Sequence, residues 1–245
     1  MGFPARANAE TPRLFTGIGT NGDPAKAKGL KEQGLDFFTG GTGPILVPEK
    51  PEADFAANLK AIQDCPLPMP ACNGFIRPPH LRCVGEEANH DQVLEWADTC
   101  FRRLKLAGGK FMVFGSGGSR ALRKNWTKEQ ADPQFVALLK RMGPLAEKHG
   151  VTVVVEQLNT RECNYINHIR DAADLIRQAN HPNIRLLADL YHMAVDGDTP
   201  EDLKAAMDVI VHVEIAEKEG RAYPGIGGQD FRPFFRVLRD AKYRG

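Results

Sequence analysis

The sequence reads Val151-Thr-Val-Val-Val-Glu156-Gln-Leu-Asn159 in one place and Ile184-Arg-Leu-Leu-Ala-Asp189-Leu-Tyr-His192-Met193 in another. Each stretch is a short apolar run, typical of a buried strand, that ends in a carboxylate. A carboxylate in such a place costs free energy unless it is paired or coordinates a cation. Because the two runs are one strand-and-helix unit apart, the simplest interpretation is that Glu156 and Asp189 share a metal ion.

Working outward from these runs, short apolar segments alternate with helical patterns along the whole chain. Proline or glycine punctuates several of the predicted helix ends, as at Gly150 and at Thr199-Pro200. The strands are predicted at 14–20, 37–38, 71–76, 111–114, 151–156, 184–189 and 209–216, and the helices at 24–34, 52–64, 93–104, 135–146, from about 165, from 199, and at 231–241. No eighth strand is predicted before Gly245.

This alternation predicts an α/β fold with a parallel sheet, either closed as a (β/α)8 (TIM) barrel or open and doubly wound. The barrel is favoured because the polar residues collect at the carboxyl ends of strands five, six and seven, where barrels carry their sites. Gly17-Ile-Gly19-Thr-Asn-Gly22 resembles a dinucleotide-binding fingerprint only superficially, since Asp23-Pro24 follows it. We expect a flexible lead-in at 1–12 and a single barrel domain at 13–245, lacking the last strand.

Composition narrows the class of protein. The chain has 245 residues, of which 42% are hydrophobic, and its 32 basic and 31 acidic residues nearly cancel. Neither nucleic acid nor an anionic membrane is therefore an expected partner, and no apolar run is long enough to span a bilayer. The five cysteines show no zinc-binding spacing and favour reduced thiols, so a cytoplasmic location is expected, with a processed secreted form as the alternative.

Several motifs, in order and spacing, resemble those of the xylose isomerase-like barrels, which include sugar phosphate isomerases and epimerases, hydroxypyruvate isomerase and inosose dehydratase. Glu156-Gln-Leu-Asn159 is similar to the family's E-P-L-N, and Asp189-Leu-Tyr-His192-Met193 to its D-x-Y-H-M. Arg221-Ala-Tyr-Pro-Gly225-Ile-Gly227 is similar to its R-x-x-P-G-x-G. The resemblance covers nearly the whole chain and implies a sugar or polyol substrate.

The resemblance also implies roles for individual residues. Glu156 and Asp189 would bind a divalent metal, and Glu156 would in addition act as the catalytic base. His192 would contact substrate oxygen and could serve as an acid. The remaining substrate-binding residues implied by the family motifs are Asn159, Glu162 and Arg221.

Strand seven departs from the family pattern H-x-H-I-A-D, in which the second histidine is a metal ligand. This chain has His212-Val-Glu214-Ile-Ala-Glu217. Residues 212 and 214 share a strand face, so Glu214 takes the ligand position and His212 is a further candidate ligand. An oxygen-rich site favours Mn²⁺ or Mg²⁺, with Zn²⁺ or Co²⁺ as alternatives. Alternatively, Glu214 pairs with an arginine or a lysine and binds no metal.

The second departure is the end of the chain, where the family continues into a strand whose glutamate is a fourth ligand and the second acid/base group. Its absence predicts two exposed sheet edges, which a homo-oligomer could cover, and catalysis impaired in this chain. The leading hypothesis is a metal-dependent isomerase or epimerase that abstracts a proton next to a carbonyl and forms an enediolate. A lyase of the inosose or dehydroshikimate dehydratase type and a non-catalytic carbohydrate-binding subunit are the alternatives.

Each assigned residue also has a purely structural interpretation. Glu156 and Asp189 could form buried ion pairs with an arginine such as Arg77, and His192 could bond a loop carbonyl. Arg221 could be a solvated loop residue. The glycine-rich segment 115–119, with Arg120, could present N–H groups to a phosphate or sugar oxygen, or could simply be a loop near the site.

Overall fold

The computed structural model describes residues 14–245 as a parallel sheet curled into an incomplete barrel, with helices on its outer face. The seven strands of this part of the chain lie in sequence order, each hydrogen-bonded to the next. The lead-in predicted at 1–12 lies outside the described residues. The strands are β1 Gly19–Asn21, β2 Phe37–Gly41, β3 Ala71–Asn73, β4 Phe111–Phe114, β5 Thr152–Glu156, β6 Ile184–Asp189 and β7 Ile210–Glu214.

At least one helix follows each of the seven strands, as expected of a barrel, and two helices lie between β4 and β5 and between β6 and β7. The helices are α1 Ala27–Glu32, α2 Glu52–Gln63, α3 His90–Leu106, α4 Gly117–Arg120, α5 Lys128–His149, α6 Ile169–Ala179, α7 Leu190–Asp196, α8 Pro200–Ala205 and α9 Arg232–Asp240, with one π-helical turn at Thr42–Leu46. Within the described residues, no helix is long and apolar enough to cross a membrane.

The predicted parallel α/β barrel is confirmed, although several element boundaries differ. β3 ends at Asn73 because Gly74 has a φ of +68°, outside the extended region. The helix expected from about residue 165 begins at Ile169, whose N–H is bonded by the carboxylate of Asp198. The sequence also gave no sign of α7, a two-turn helix that starts directly after β6.

No eighth strand is present among the described residues, so β7 and β1 form the two edges of the sheet. The last residues of the chain lie next to both edges. The carbonyl of Gly245 accepts a hydrogen bond from the N–H of Thr16 at 3.2 Å, and the Tyr243 hydroxyl donates to the carbonyl of Val211 at 3.5 Å. The gap between β7 and β1 is thus partly covered from within the chain.

Strand parity separates the core into two parts and positions the polar residues. Val153 and Val155 belong to the large cluster that the helices cover, whereas Val154 packs inside the barrel with residues of three other strands. Glu156 shares the parity of Val154, and Asp189 shares that of the interior Leu187. Both carboxylates therefore face the interior at the carboxyl ends of their strands.

Candidate metal and substrate site

Glu156 lies at the last position of β5, only 8% exposed. Its carboxylate lies directly over Gly115, where a Cβ would come far closer to Glu156 Oε2 than the roughly 3.4 Å of ordinary contact. Behind the strand, the fully buried guanidinium of Arg120 donates to the carbonyls of Phe114 at 3.1 Å and of Glu156 at 2.6 Å. The backbone of Glu156 is thereby fixed from one side, while its side chain stays free to bind.

Asp189 ends β6 and begins α7. It is 2% exposed, and its Oδ1 accepts the N–H of Tyr191 at 2.7 Å, which makes it the N-cap of the helix. The amide of Gln157 donates to the Asp189 carbonyl at 3.0 Å and so ties the end of β5 to the end of β6. One oxygen of the carboxylate is thus used by the backbone, and the other faces the site.

His192 lies in the first turns of α7, fully buried. Its Nδ1 accepts a hydrogen bond from the N–H of Asn159 at 3.1 Å and lies 2.7 Å from the side-chain amide of the same residue. The orientation of that amide is fixed because its oxygen accepts the N–H of Arg161 and its nitrogen donates to Glu162. Both donors therefore face Nδ1.

This arrangement assigns the tautomer of the neutral imidazole, since a ring nitrogen that accepts cannot carry the proton. The proton lies on Nε2, which is 3.5 Å from Glu156 Oε1 and 3.4 Å from Asp189 Oδ2. A protonated Nε2 is a hydrogen-bond donor and offers no lone pair to a metal. His192 is therefore better suited to donate to a carboxylate or to a substrate oxygen than to ligate the ion.

Arg221 reaches the same cluster from the loop after β7. Its guanidinium lies 3.2 Å from Glu162 Oε1, 3.4 Å from Asp189 Oδ2 and 3.4 Å from His192 Nε2. It also lies over the ring of Tyr191, 4.4 Å from the centroid. The structure thus brings together His192, Arg221, Asn159 and Glu162, the four residues predicted to bind substrate, although their roles stay predictions.

Glu214 is paired in register with Asp189 across β6 and β7. Burial, followed by the negative charges of Glu156 and Asp189, raises the pKa of its carboxyl to about 8, against the lowering effect of a hydrogen bond with Asn73. Burial, followed by the charge of Glu156, likewise raises the pKa of Asp189. The ionised forms of Asp189 and Glu214 are therefore costly in free energy when no cation lies beside them.

His212 lies inside the barrel in the same strand. Its ring centroid is 5.5 Å from that of Phe111, and its Nε2 is 4.0 Å from Glu214 Oε1. Burial lowers the pKa of this imidazole to about 4, so it is neutral at physiological pH. Its assignment as a candidate ligand stays a prediction.

The donor set fits a hard divalent cation. Glu156, Asp189 and His192 each place one potential ligand atom within 4.8 Å of the others, and they are the one such group found among residues 14–245. Because the tautomer gives the His192 proton to Nε2, the oxygens of Glu156 and Asp189 are the donors in this group that fit such an ion, and their role as ligands, like that of Glu214, stays a prediction. Carboxylate oxygens suit Mn²⁺ or Mg²⁺ best.

The structure shows the partners of the two carboxylates. Asp189 pairs with an arginine, but with Arg221 and not with Arg77, and both Glu156 and Asp189 lie within 3.5 Å of the neutral His192 at Nε2. In the segment 115–120, the Arg120 guanidinium is fully buried on backbone carbonyls, so it does not help the segment to bind a phosphate. Sequence reasoning missed the positions of Gly115 and Arg120 around Glu156, since neither residue carries a signal of its partner across 36 or more positions.

We expect Gly115→Ala to disturb the site without unfolding the chain. The added methyl displaces the Glu156 carboxylate, so the affinity for Mn²⁺ should fall by about tenfold or more, as for the loss of support to a metal ligand. Gly118→Ala is the matched control, because a Cβ at Gly118 meets nothing within 4 Å. Calorimetric titration with Mn²⁺ measures both affinities. Equal affinities for the two variants would contradict the assignment of Glu156.

The raised pKa of Glu214 predicts how stability depends on pH when no metal is bound. Between the ordinary pKa of 4.5 and about 8, the native state keeps a proton that the unfolded chain releases. The free energy of unfolding therefore decreases as pH rises through this window. In EDTA, the urea concentration at the midpoint of unfolding should decrease from pH 5.5 through pH 7 to pH 8.5 for the natural protein. The decrease should be smaller for Glu214→Gln, which has no carboxyl to titrate at this position.

A control for this pH series is Glu95→Gln, since Glu95 is exposed on α3. The control should show the same pH dependence as the natural protein. If Glu214→Gln also follows the natural protein, the Glu214 carboxyl is not the group that titrates.

The chain matches known proteins over most of its length. The sequence model of the xylose isomerase-like TIM barrel family matches residues 28–245. The L-ribulose 3-epimerase of Methylomonas sp. (strain DH-1) is 32% identical over 142 residues, covering 58% of this chain and 47% of that protein. The chain spans about half the length of the curated relatives it matches.

Two solved structures show the same fold. A 3-keto-D-glucoside 4-epimerase from E. coli superposes with a TM-score of 0.77 at 24% identity, covering 93% of this chain and 89% of that chain. The IOLI protein, solved with a binding zinc atom, superposes with a TM-score of 0.73 at 19% identity, covering 94% of this chain and 87% of that chain. At these identities the superpositions establish the fold alone.

Proposed function

Because the chain belongs to the xylose isomerase-like TIM barrel family, we propose that it is a divalent-metal-dependent isomerase or epimerase of a small sugar. The observation that carries the proposal is the meeting of Glu156 and Asp189, buried at the ends of neighbouring strands, with His192. The epimerase name of its 32% identical relative supports the class of reaction.

Glu156 and Asp189 would hold the metal, with Glu214 as the third carboxylate. A bound divalent cation supplies Lewis-acid stabilisation of the negative charge that develops on substrate oxygen. It would also relieve the like-charge repulsion that raises the pKa of Glu214. Mn²⁺ or Mg²⁺ is the expected ion, with Zn²⁺ or Co²⁺ as alternatives.

Glu156 would abstract the proton from the carbon next to the substrate carbonyl. It is the predicted base, and its backbone is anchored by Arg120 while its carboxylate faces the barrel interior. Removal of this proton leaves an enediolate in the substrate, whose two oxygens carry the negative charge. Return of this proton from Glu156 to the neighbouring carbon gives isomerisation, whereas epimerisation requires a second acid that delivers a proton to the opposite face of the same carbon.

His192 would donate from Nε2 to a substrate oxygen. The bond from the Asn159 N–H to Nδ1 keeps the proton on Nε2, so the donor is ready before the substrate arrives. Arg221, stacked on Tyr191, and Glu162 would bond further hydroxyl groups of the sugar. This set combines donors and acceptors, as a polyol requires.

Deuterium incorporation tests the proposal directly. Protein stripped with EDTA and reloaded with Mn²⁺ is incubated with ketoses, L-ribulose among them, in D₂O, and proton NMR follows exchange next to the carbonyl. Metal-dependent exchange with a new sugar stereoisomer supports the proposal. A product that absorbs in the ultraviolet would instead indicate dehydration, and failure to bind Mn²⁺, Mg²⁺, Co²⁺ or Zn²⁺ would refute the metal-dependent reaction.

A further inference from the structure

The loop that carries Arg221 has no apolar anchor at its tip. It runs from 217 to 228, between β7 and α9, and two of its large apolar side chains point to solvent. Tyr223 is 69% exposed and Ile226 is 72% exposed. Burial of these side chains therefore cannot hold the loop in its conformation.

The buried group in this loop is a carboxylate. Glu217 is 1% exposed, and its Oε1 accepts the N–H of Gly225 at 2.6 Å while its Oε2 accepts the N–H of Gly227 at 2.6 Å. Its own N–H donates to the carbonyl of Ala222 at 2.8 Å. Within residues 14–245, the N–H groups of Gly225 and Gly227 are the hydrogen-bond donors to this carboxylate, so the loop backbone itself stabilises the buried group.

The loop is shaped around this carboxylate. A Cβ at Gly227 would come much closer to Glu217 Oε2 than real Cβ atoms approach neighbouring atoms. Between Glu217 and the glycines that it accepts from, Arg221 has a φ of +48°, a left-handed conformation that costs free energy for a residue other than glycine. The hydrogen bonds of Glu217 close the loop on either side of the strained residue.

We propose that Glu217 is a positioning residue that holds the loop so that Arg221 enters the candidate site. The loop begins three residues after Glu214, and within it the Arg221 guanidinium lies 3.2 Å from Glu162 and 3.4 Å from Asp189. Glu217 thus couples the end of β7 to the position of a predicted substrate-binding guanidinium. The effect of Glu217 on substrate binding rests on the proposed function, whereas its role in fixing the loop conformation does not.

The variants are Glu217→Gln and Gly227→Ala, with Glu219→Gln as the matched control. Glutamine keeps the size of Glu217 but replaces one acceptor by a donor that faces an N–H. Gly227→Ala keeps the charge and pushes the carboxylate away from the backbone, so it gives an independent perturbation of the same contact. Glu219 is exposed in the same loop, and its replacement by glutamine changes the net charge by the same amount as Glu217→Gln.

The first readout is cleavage by trypsin after Arg221, located by mass spectrometry under native conditions. Proteolysis follows the population of the open loop, so both test variants should be cut about tenfold faster than the natural protein. Glu219→Gln should be cut at the natural rate. Native-like circular dichroism confirms that the rest of the barrel is folded, and unchanged cleavage of both test variants overturns the proposal whatever the protein catalyses.

The second readout is the KM for L-ribulose in Mn²⁺-loaded protein. If Glu217 acts through Arg221, Glu217→Gln should raise KM by about tenfold with kcat little changed, the pattern of lost uniform binding. Glu217→Gln should add nothing to the KM of Arg221→Ala, because the guanidinium that it positions is gone. Additive effects of Glu217→Gln and Arg221→Ala on KM would refute the proposal that Glu217 acts through Arg221. If the natural protein is inactive on L-ribulose but the variants still differ in trypsin cleavage, the result counts against the proposed substrate alone.

Discussion

Glu156→Gln is expected to reduce deuterium exchange next to the substrate carbonyl by about 10³-fold, the effect typical of a lost general base. Glutamine has nearly the same shape as glutamate and can keep the hydrogen bond that Arg120 makes to the backbone carbonyl. The fold should therefore be intact. Because Glu156 is also a proposed metal ligand, Mn²⁺ occupancy is measured on the same sample, and a loss of exchange at full occupancy belongs to the proton transfer. Proton NMR in D₂O on Mn²⁺-loaded protein measures the rate.

The matched control for Glu156→Gln is Glu95→Gln, the same chemical change on the exposed face of α3. Exchange in the control should equal that of the natural protein. If Glu156→Gln retains more than about a tenth of the natural rate, Glu156 is not the base that general acid–base catalysis requires.

Asp189→Asn is expected to reduce the stabilisation that Mn²⁺ gives, because the affinity for Mn²⁺ should fall by about 100-fold or more, since even indirect disturbance of a ligand costs about 10–100-fold. The N-cap of α7 should survive, because asparagine accepts the Tyr191 N–H as aspartate does. The variant thus removes the charge and keeps the helix that carries His192.

The same substitution should stabilise the protein when no metal is bound. Burial and the charge of Glu156 raise the pKa of Asp189, so its ionised form at neutral pH costs folding free energy that asparagine does not. Thermal unfolding in EDTA and in Mn²⁺ measures both effects: a higher Tm in EDTA and a smaller rise with Mn²⁺. Asp240→Asn, at the exposed end of α9, is the control, and a variant Tm that still rises fully with Mn²⁺ would exclude Asp189 as a ligand.

These expected effects depend on elements that the sequence predicts unequally well. The strands of residues 151–156 and 184–189 follow from their apolar runs, and strand parity alone places Glu156 and Asp189 on the inner face. The short helix α7 could not be expected in the same way, because its start depends on a cap that Asp189 provides only in the folded backbone.

The neighbours of Glu156 show a second limit of sequence reasoning. From the sequence, Arg120 could help the glycine-rich segment 115–119 to bind a phosphate or sugar oxygen, or the segment could simply be a loop near the site. The fold buries Arg120 completely on the carbonyls of β4 and β5. Its partner is a backbone atom 36 positions away, and a backbone carbonyl has no signature in the sequence.

The sequence by itself determined the alternation of strands and helices, the inward parity of the two carboxylates and the family. These follow from local periodicity and from motifs that need no tertiary contact to be recognised. Tertiary structure alone decided which nitrogen of His192 carries the proton, that Arg120 anchors Glu156, and that Glu217 closes the loop of Arg221. Each of these depends on a hydrogen bond to a backbone atom, and such bonds are set by where the folded chain brings that atom, not by the residue type that contributes it.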